Sequence, residues 1–399
     1  MKSRRIIVIA AIAVSFLLIT LSSSAFSNGS DEDHSVRPTA IAPNGPDETY
    51  PRMVDIATRL ALDTPPSPVV TQPPQTTVAE DPASNNGEAA AHTGSIKGVI
   101  LFLSGGIWET YFVKHALPRL EHNFLKCFPF YPVHIFHEKM PLENQQKIRA
   151  LVPSAPHVDF EDVSQIWKTL PAGISEAQLK IWMNSGVQAK FQGRGYRIMC
   201  RFWSGLAWIL PSMDKYDYYW RLDTDSIIAG PAKIDPFRWM VDHDCSYGYN
   251  RLKGENPHVL TELWPTYKKW LAETDSISAE EKETVRTHVE QFALDPKTGA
   301  YNGPMYYNNF ELGTFALKRH VVLQDMFRYF DTKPPHGFLK FRWGDAPWHT
   351  LAVHTVLKGE HMCNISKELL PYRHAARKVP PMFTEAAGDK AHCPKPSVL

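Results

Sequence analysis

Apolar and polar positions along this chain fall into three textures. Ile6 to Leu21 is apolar apart from Ser15 and Thr20. Ser27 to about His92 has no buriable face: it mixes Asp31-Glu32-Asp33, Pro65-Pro66-Ser67-Pro68 and Thr71 to Thr77 with Ala and Thr. From Ile96 onward, runs suited to strands alternate with three/four-spaced stripes suited to helices. Lys97 to Leu103 contains a continuous apolar run, as expected of a strand covered on both faces in a parallel sheet. Leu117, Leu120 and Phe124 predict a helix over Trp108–Phe124, with Pro118 as a kink point. Tyr131–Phe136 reads as a second strand and Pro141–Ile148 as a helix opened by proline. His157 to Met199 is less regular. A helix is then expected from the Tyr196 region up to Pro211, a strand at Cys245–Tyr249 and a helix from Glu262 through Trp270. Ser278–Phe292 should be a Ser-capped helix with Glu280 and Glu281 in its first turn. Strand and helix in alternation predict an α/β fold with right-handed crossovers.

The first texture just reaches the roughly 20 apolar residues that a bilayer core requires. Lys2, Arg4 and Arg5 precede it and keep the N-terminus cytoplasmic. Residues 1–26 therefore read as an uncleaved signal anchor, against a cleaved signal peptide with small residues at Ser23–Phe26. Residues 27–94 read as an extended Pro/Thr-rich stem, and residues 95–399 as one catalytic domain. Everything past the anchor lies in an oxidising space, where disulfides form. The cysteines are Cys127, Cys200, Cys245, Cys363 and Cys393, an odd number with no zinc-type pair spacing. Net charge is +1, from 43 basic and 42 acidic residues, which gives no argument for nucleic acid. Aromatic residues make up 12% of the chain, enough to supply both core and ligand-stacking rings. Asn28-Gly29-Ser30 and Asn364-Ile365-Ser366 are formal N-glycosylation acceptors.

The chemistry concentrates at Tyr216 to Asp225. An aromatic run reads as a buried strand, and it ends in Asp223 and Asp225, one residue apart. Carboxylates so placed suit Mg2+ or Mn2+ bridging a diphosphate, because hard cations prefer carboxylate oxygen. The same spacing also fits a strand followed by an Asx turn. Arg197 and Arg201 lie four apart, with Arg201 among aromatics, and either suits a phosphate; stems covering apolar surface are the other reading. Glu311 stands among Tyr306, Tyr307, Asn308, Asn309 and Phe310. That setting can orient a carboxylate toward a sugar carbon, or the residue caps the next helix. Asp345 reads as an N-cap before Ala346-Pro347, placing His349 early in a helix, where the dipole favours the neutral, metal-binding imidazole. Trp203, Tyr307 and Trp348 offer stacking surfaces. A phosphoesterase and a membrane-anchored sugar-binding protein are the rival classes.

Met199-Cys200-Arg201-Phe202-Trp203-Ser204-Gly205, Tyr218-Tyr219-Trp220-Arg221, Asn309-Phe310-Glu311-Leu312 and Arg342 to His349 occur in this order. With the closing Cys393-Pro394 they resemble the fungal-type α-1,2-mannosyltransferases of glycosyltransferase family 15, over about Ile96 to Pro394. The resemblance implies a type II Golgi membrane protein with a luminal GT-A-like domain and a mixed, mainly parallel sheet. It also implies retaining transfer of mannose from GDP-mannose to the 2-hydroxyl of an acceptor mannose on a glycoprotein or glycolipid, with Mn2+ or Mg2+. Asp223, Asp225 and His349 are then the metal residues and Glu311 and Asp345 the catalytic ones; with the residue chemistry above, Arg201, Asp225 and Tyr307 are expected to bind the donor. The family usually has Glu-Pro-Asp where this chain has Asp223-Thr224-Asp225.

Overall fold

The computed structural model describes residues 96–105, 109–184, 193–374 and 393. The expected anchor and stem lie outside them. No helix among the described residues is long and apolar enough to cross a membrane.

Continuous apolar runs become the central strands. β1 (Gly98–Ser104), β2 (Val133–His137), β3 (Val158–Asp162) and β4 (Tyr218–Leu222) pair in parallel in the order β4-β1-β2-β3. The strands that follow are β5 (Ser226–Ile228), β6 (Tyr247–Tyr249), β7 (Leu252–Gly254) and β8 (Pro304–Tyr306). β9 (Phe310–Thr314), β10 (Met362–Asn364) and β11 (Tyr372–His374) complete the set. β9 runs antiparallel to both β4 and β6, and β10 lies parallel to β6 at the edge, which makes one mixed seven-stranded sheet. β5 pairs with β11, and β7 with β8, as two small antiparallel ribbons.

The strand period of two splits the core between the faces. Val99, Leu101 and Tyr219 join one apolar cluster, while Ile100, Phe102, Trp220 and Leu222 join the other. The labelled helices are α1 (Leu142–Arg149), α2 (Glu176–Asn184), α3 (Arg194–Ser204) and α4 (Pro236–Asp242). They continue as α5 (Leu263–Glu273), α6 (Ala279–Ala293), α7 (Val321–Thr332) and α8 (Asp345–Leu357). Ser278 caps α6 through the Glu281 N–H, as expected of that sequence.

Three local expectations change. The helix expected over Trp108–Phe124 is a run of wide and regular turns, Phe112–Ala116, Leu117–Leu120 and Glu121–Leu125, around Pro118. The irregular middle contains a strand, β3, whose alternating Asp and Glu hid it. It is an edge strand, and four of its five residues are half-buried. Asp345 is not the N-cap of α8; Gly344 holds that position, and the Asp345 carboxylate turns to other partners.

Two disulfides form, Cys127–Cys393 and Cys245–Cys363, as would be expected in an oxidising compartment, with Cys200 buried as a free thiol. The second ties the start of β6 to edge strand β10.

Candidate active site

β4 ends where the polypeptide leaves the sheet, and Asp223, Thr224 and Asp225 form the turn into β5. The β5–β11 ribbon has the register Ser226↔His374. His374 is thereby carried across to the acidic pair, with Nε2 at 2.9 Å from Asp225 Oδ1 and 3.8 Å from Asp223 Oδ2. Among the described residues, these three form the only group of at least three His, Cys, Asp or Glu side chains able to hold a metal ion. Their ligand atoms lie within 4.8 Å of one another. The His374 ring is braced from behind: its Nδ1 lies 3.2 Å from the Tyr307 hydroxyl. The Tyr307 ring in turn carries the Lys253 ammonium 3.8 Å above its centroid.

The turn is pinned by a single carbonyl. Asn309 O accepts from the Asp223 N–H at 3.3 Å, from Ser226 Oγ at 3.0 Å and from Tyr372 Oη at 2.9 Å. Beside it, Arg221 lies on the Trp203 ring, 4.4 Å from its centroid. Its guanidinium donates to Asp345 Oδ2 at 2.6 Å and lies 3.6 Å from Asp223 Oδ1. Asp345 also accepts from Asn308 Nδ2 at 2.9 Å. Burial raises the Asp223 carboxyl to about 6, with Asp345 and Asp225 adding to the effect and Arg221 and His374 opposing it. Two carboxylates and an imidazole, with one carboxylate already pushed toward neutrality, form a site short of positive charge. Oxygen and nitrogen donors of this kind fit Mn2+ well.

These groups face a cleft of about 600 Å³, also lined by Tyr196, Asn256, Asn309 and Arg342. A second groove, of about 380 Å³, adjoins it and shares Leu103, Tyr196 and Met199. Trp167, Glu109 and Glu138 line that groove, at the C-terminal end of β1.

Asp223, Asp225, Tyr307 and Asp345 therefore meet in one place. Three expected site residues do not face it. His349 is fully buried: its Nδ1 lies 2.8 Å from Glu311 Oε2 and its Nε2 2.9 Å from the Trp203 carbonyl, so neither nitrogen is free for a metal. The reason is that α8 is buried around nearly its whole circumference, so an early position in it points into the core. Arg201 is spent on Asp331, with Nε–Oδ1 2.5 Å and Nη2–Oδ2 2.8 Å, a buried two-pronged pair well placed to hold α3 on α7.

Glu311 lies opposite Arg221 in the β4–β9 ladder but is wholly enclosed. Its Oε1 accepts from Tyr219 Oη at 2.5 Å and pairs with Lys318 Nζ at 2.7 Å. Gly313 makes room for this, since a Cβ there would sit 2.5 Å from the Tyr219 hydroxyl. Desolvation pushes the Glu311 carboxyl up, but His349 and Lys318 outweigh it and hold the group well below the usual range. Trp348, expected as a stacking surface, is core.

His374 is the residue that sequence reasoning missed. Its signal was faint, a single histidine in Pro371-Tyr372-Arg373-His374 near the C-terminus, and only the β5–β11 pairing gives it meaning.

Comparison with known proteins agrees with this architecture. Core-mannan synthase A from Aspergillus fumigatus, in its Mn/GDP form, superposes with a TM-score of 0.62 at 21% identity, covering 73% of this chain and 81% of that one. The mannosyltransferase Ktr4p of Saccharomyces cerevisiae in complex with GDP gives 0.61 at 20% identity, covering 83% and 82%. These likenesses establish the GT-A-like fold with its mixed sheet. Glycolipid 2-alpha-mannosyltransferase 1 of Candida albicans is 26% identical over 255 residues, 63% of this chain and 57% of that protein. The glycolipid 2-alpha-mannosyltransferase of Saccharomyces cerevisiae is 27% identical over 241 residues, 60% of this chain and 52% of that protein. The chain thus spans about half the length of the curated relatives it matches. The profile of one family matches residues 69–393. The chain belongs to the glycolipid 2-alpha-mannosyltransferase family.

Proposed function

We propose that this chain is a retaining α-1,2-mannosyltransferase that moves mannose from GDP-mannose to the 2-hydroxyl of an acceptor mannose on a glycoprotein or glycolipid. The observation that carries the reading is the convergence of Asp223, Asp225 and His374 at the end of β4, in a cleft large enough for a nucleotide sugar. The names of the relatives and the Mn/GDP and GDP forms of the neighbouring structures point the same way.

Those three side chains would hold Mn2+, or Mg2+, which supplies positive charge for the departing diphosphate. The remaining work belongs to the protein. Arg221, between Asp223 and Asp345, fixes both carboxylates and keeps their mutual repulsion in check. Burial pushes the Asp345 carboxyl up, but Arg221 and His349 outweigh it, so the group stays ionised. Asp345 lines the cleft and is the carboxylate that meets the hexose, stabilising positive character at the anomeric carbon or attacking it. Glu311 acts from beneath: paired with Lys318 and opposite Arg221 in the β4–β9 ladder, it supports Arg221 rather than touching the sugar. The adjoining groove suits the base, with Trp167 and Tyr196 as apolar walls and the Glu109 or Glu138 carboxylate as acceptor for guanine N–H groups. The anchor at residues 1–26 and the stem at 27–94 would place the catalytic domain, residues 95–399, in the Golgi lumen as a single-pass type II protein.

The test is transfer by the purified chain from a panel of nucleotide sugars to α-methylmannoside, with Mn2+ and with EDTA. Mn2+-dependent transfer from GDP-mannose, lost in Asp225→Ala and His374→Ala, is the expected result. Transfer from a different donor, or undiminished transfer in EDTA, would overturn the reading.

A further inference from the structure

Arg342 is held on the cleft wall in a backbone conformation that residues with a Cβ rarely take. Its φ is +62°, in the left-handed region. The residue is 7% exposed and lines the cleft. Contacts on either side of it impose the turn. Before it, the buried Arg197 guanidinium donates from Nη1 to the Leu339 carbonyl at 2.6 Å and to the Lys340 carbonyl at 3.1 Å. After it, Trp343 is wholly buried; its N–H reaches the Gly337 carbonyl at 3.1 Å, and its indole N–H donates to the Thr261 carbonyl at 2.7 Å. Gly337 packs so closely against that indole that a Cβ has no room. A costly backbone conformation fixed by its neighbours is typical of ligand sites.

The turn lays the Arg342 guanidinium on the Tyr196 ring, 4.2 Å from its centroid. A stacked guanidinium keeps its N–H groups in the plane, where they match the oxygens of a phosphate two at a time. Tyr196 lines both the cleft and the adjoining groove, so Arg342 stands beside their junction. The other charges restrict the ligand. Asp223, Asp225, Glu255 and Asp345 line the cleft against Arg221, Arg342 and His374, and Arg221 is committed to Asp345 beside Asp223. A lone anion is repelled by such a wall, whereas one that shares a divalent cation with the carboxylates is not. A nucleoside diphosphate is an anion of that kind. We propose that Arg342 binds a phosphate of the nucleotide's diphosphate where cleft and groove join, and gives the leaving group a positive contact from the protein in addition to the metal. The inference rests on the transferase reading and adds a donor-binding residue to it.

The experiment measures GDP binding by calorimetry at saturating Mn2+, and Mn2+ binding without nucleotide by electron paramagnetic resonance, in the full chain and in Arg342→Gly, Arg342→Gln and Arg342→Lys. All are measured below the melting temperature of each variant. Glycine accepts a positive φ, so Arg342→Gly removes the side chain without opposing the turn. Arg342→Gln keeps a planar polar group and removes the charge. Both should weaken GDP by about 10- to 100-fold, as expected for lost hydrogen bonds to a charged group, and leave Mn2+ affinity unchanged. Arg342→Lys should recover part of the loss, because the charge returns without the flat two-donor edge. Wild-type GDP affinity in Arg342→Gln, a lysine variant no better than the glutamine one, or Mn2+ affinity lost together with GDP affinity overturns the inference. If wild type binds a different nucleoside diphosphate, the donor identity falls; the inference then stands if the variants lose that nucleotide and falls if they keep it. Loss of GDP affinity as expected, in a chain whose wild type transfers no sugar, supports Arg342 and overturns the transferase reading alone. Binding of no nucleoside diphosphate overturns both.

Discussion

Two histidines separate chemistry from packing at the scale of single residues. His374→Ala should weaken Mn2+ binding by about 100-fold or more, since even an outer partner of a metal ligand is worth 10- to 100-fold. Tyr307→Phe, which removes only the hydroxyl beside His374 Nδ1, should cost about 10- to 100-fold. His349→Ala should leave Mn2+ affinity intact and cost about 2–4 kcal/mol of stability, because Glu311 and Lys318 lose a buried partner. Electron paramagnetic resonance of free Mn2+ and urea unfolding read the two effects separately; weakened Mn2+ binding in His349→Ala would contradict the assignment. Arg201 follows the same logic. Arg201→Ala strands the buried Asp331 carboxylate and should cost about 3–5 kcal/mol with GDP affinity unchanged.

At the scale of elements, α6, α8 and β8 meet through histidines. His288 Nε2 lies 3.0 Å from His354 Nδ1, and His354 Nε2 lies 3.0 Å from the Tyr306 hydroxyl. Phe292 stacks on His354 with ring centroids 3.6 Å apart. Burial, with a smaller contribution from His288, lowers the His354 pKa from 6.5 to about 3. The unfolded chain therefore binds the proton first as pH falls. The contribution is fully favourable above about pH 6.5 and is lost progressively toward pH 3, on the order of 2 kcal/mol by pH 5. Urea unfolding at pH 7.5 and pH 5.0 should show this drop in wild type and a smaller one in His354→Gln. An identical slope in the variant would assign the acid sensitivity elsewhere. β8 leads directly into Tyr307, Asn308 and Asn309, so the same contact supports one wall of the cleft.

For the molecule as a whole, the disulfides hold together parts that are distant along the chain. Cys245–Cys363 joins the start of β6 to edge strand β10, and Cys127–Cys393 ties Cys393 to the end of the first helical run. Cys363→Ser should cost about 2–4 kcal/mol in urea unfolding, through the freedom it returns to the unfolded chain. Because no site residue comes from that bond, GDP binding at saturating Mn2+ should persist below the transition. Early loss of binding, ahead of unfolding, would show that the edge of the sheet supports the site more directly.

Information that is local in the chain was readable from the chain. Continuous apolar runs marked β1, β2 and β4, Ser278 marked the start of α6, and the acidic pair after an aromatic strand marked the place of the chemistry. The resemblance blocks led to the correct family for the same reason, being contiguous stretches. The tertiary structure decided what depends on pairing across long separations. The β5–β11 register chose His374 over His349, the buried helix α8 turned His349 inward, and the antiparallel pairing of β9 with β4 enclosed Glu311 behind Arg221. Both histidines sit beside a carboxylate; only the fold determines which carboxylate opens onto the cleft.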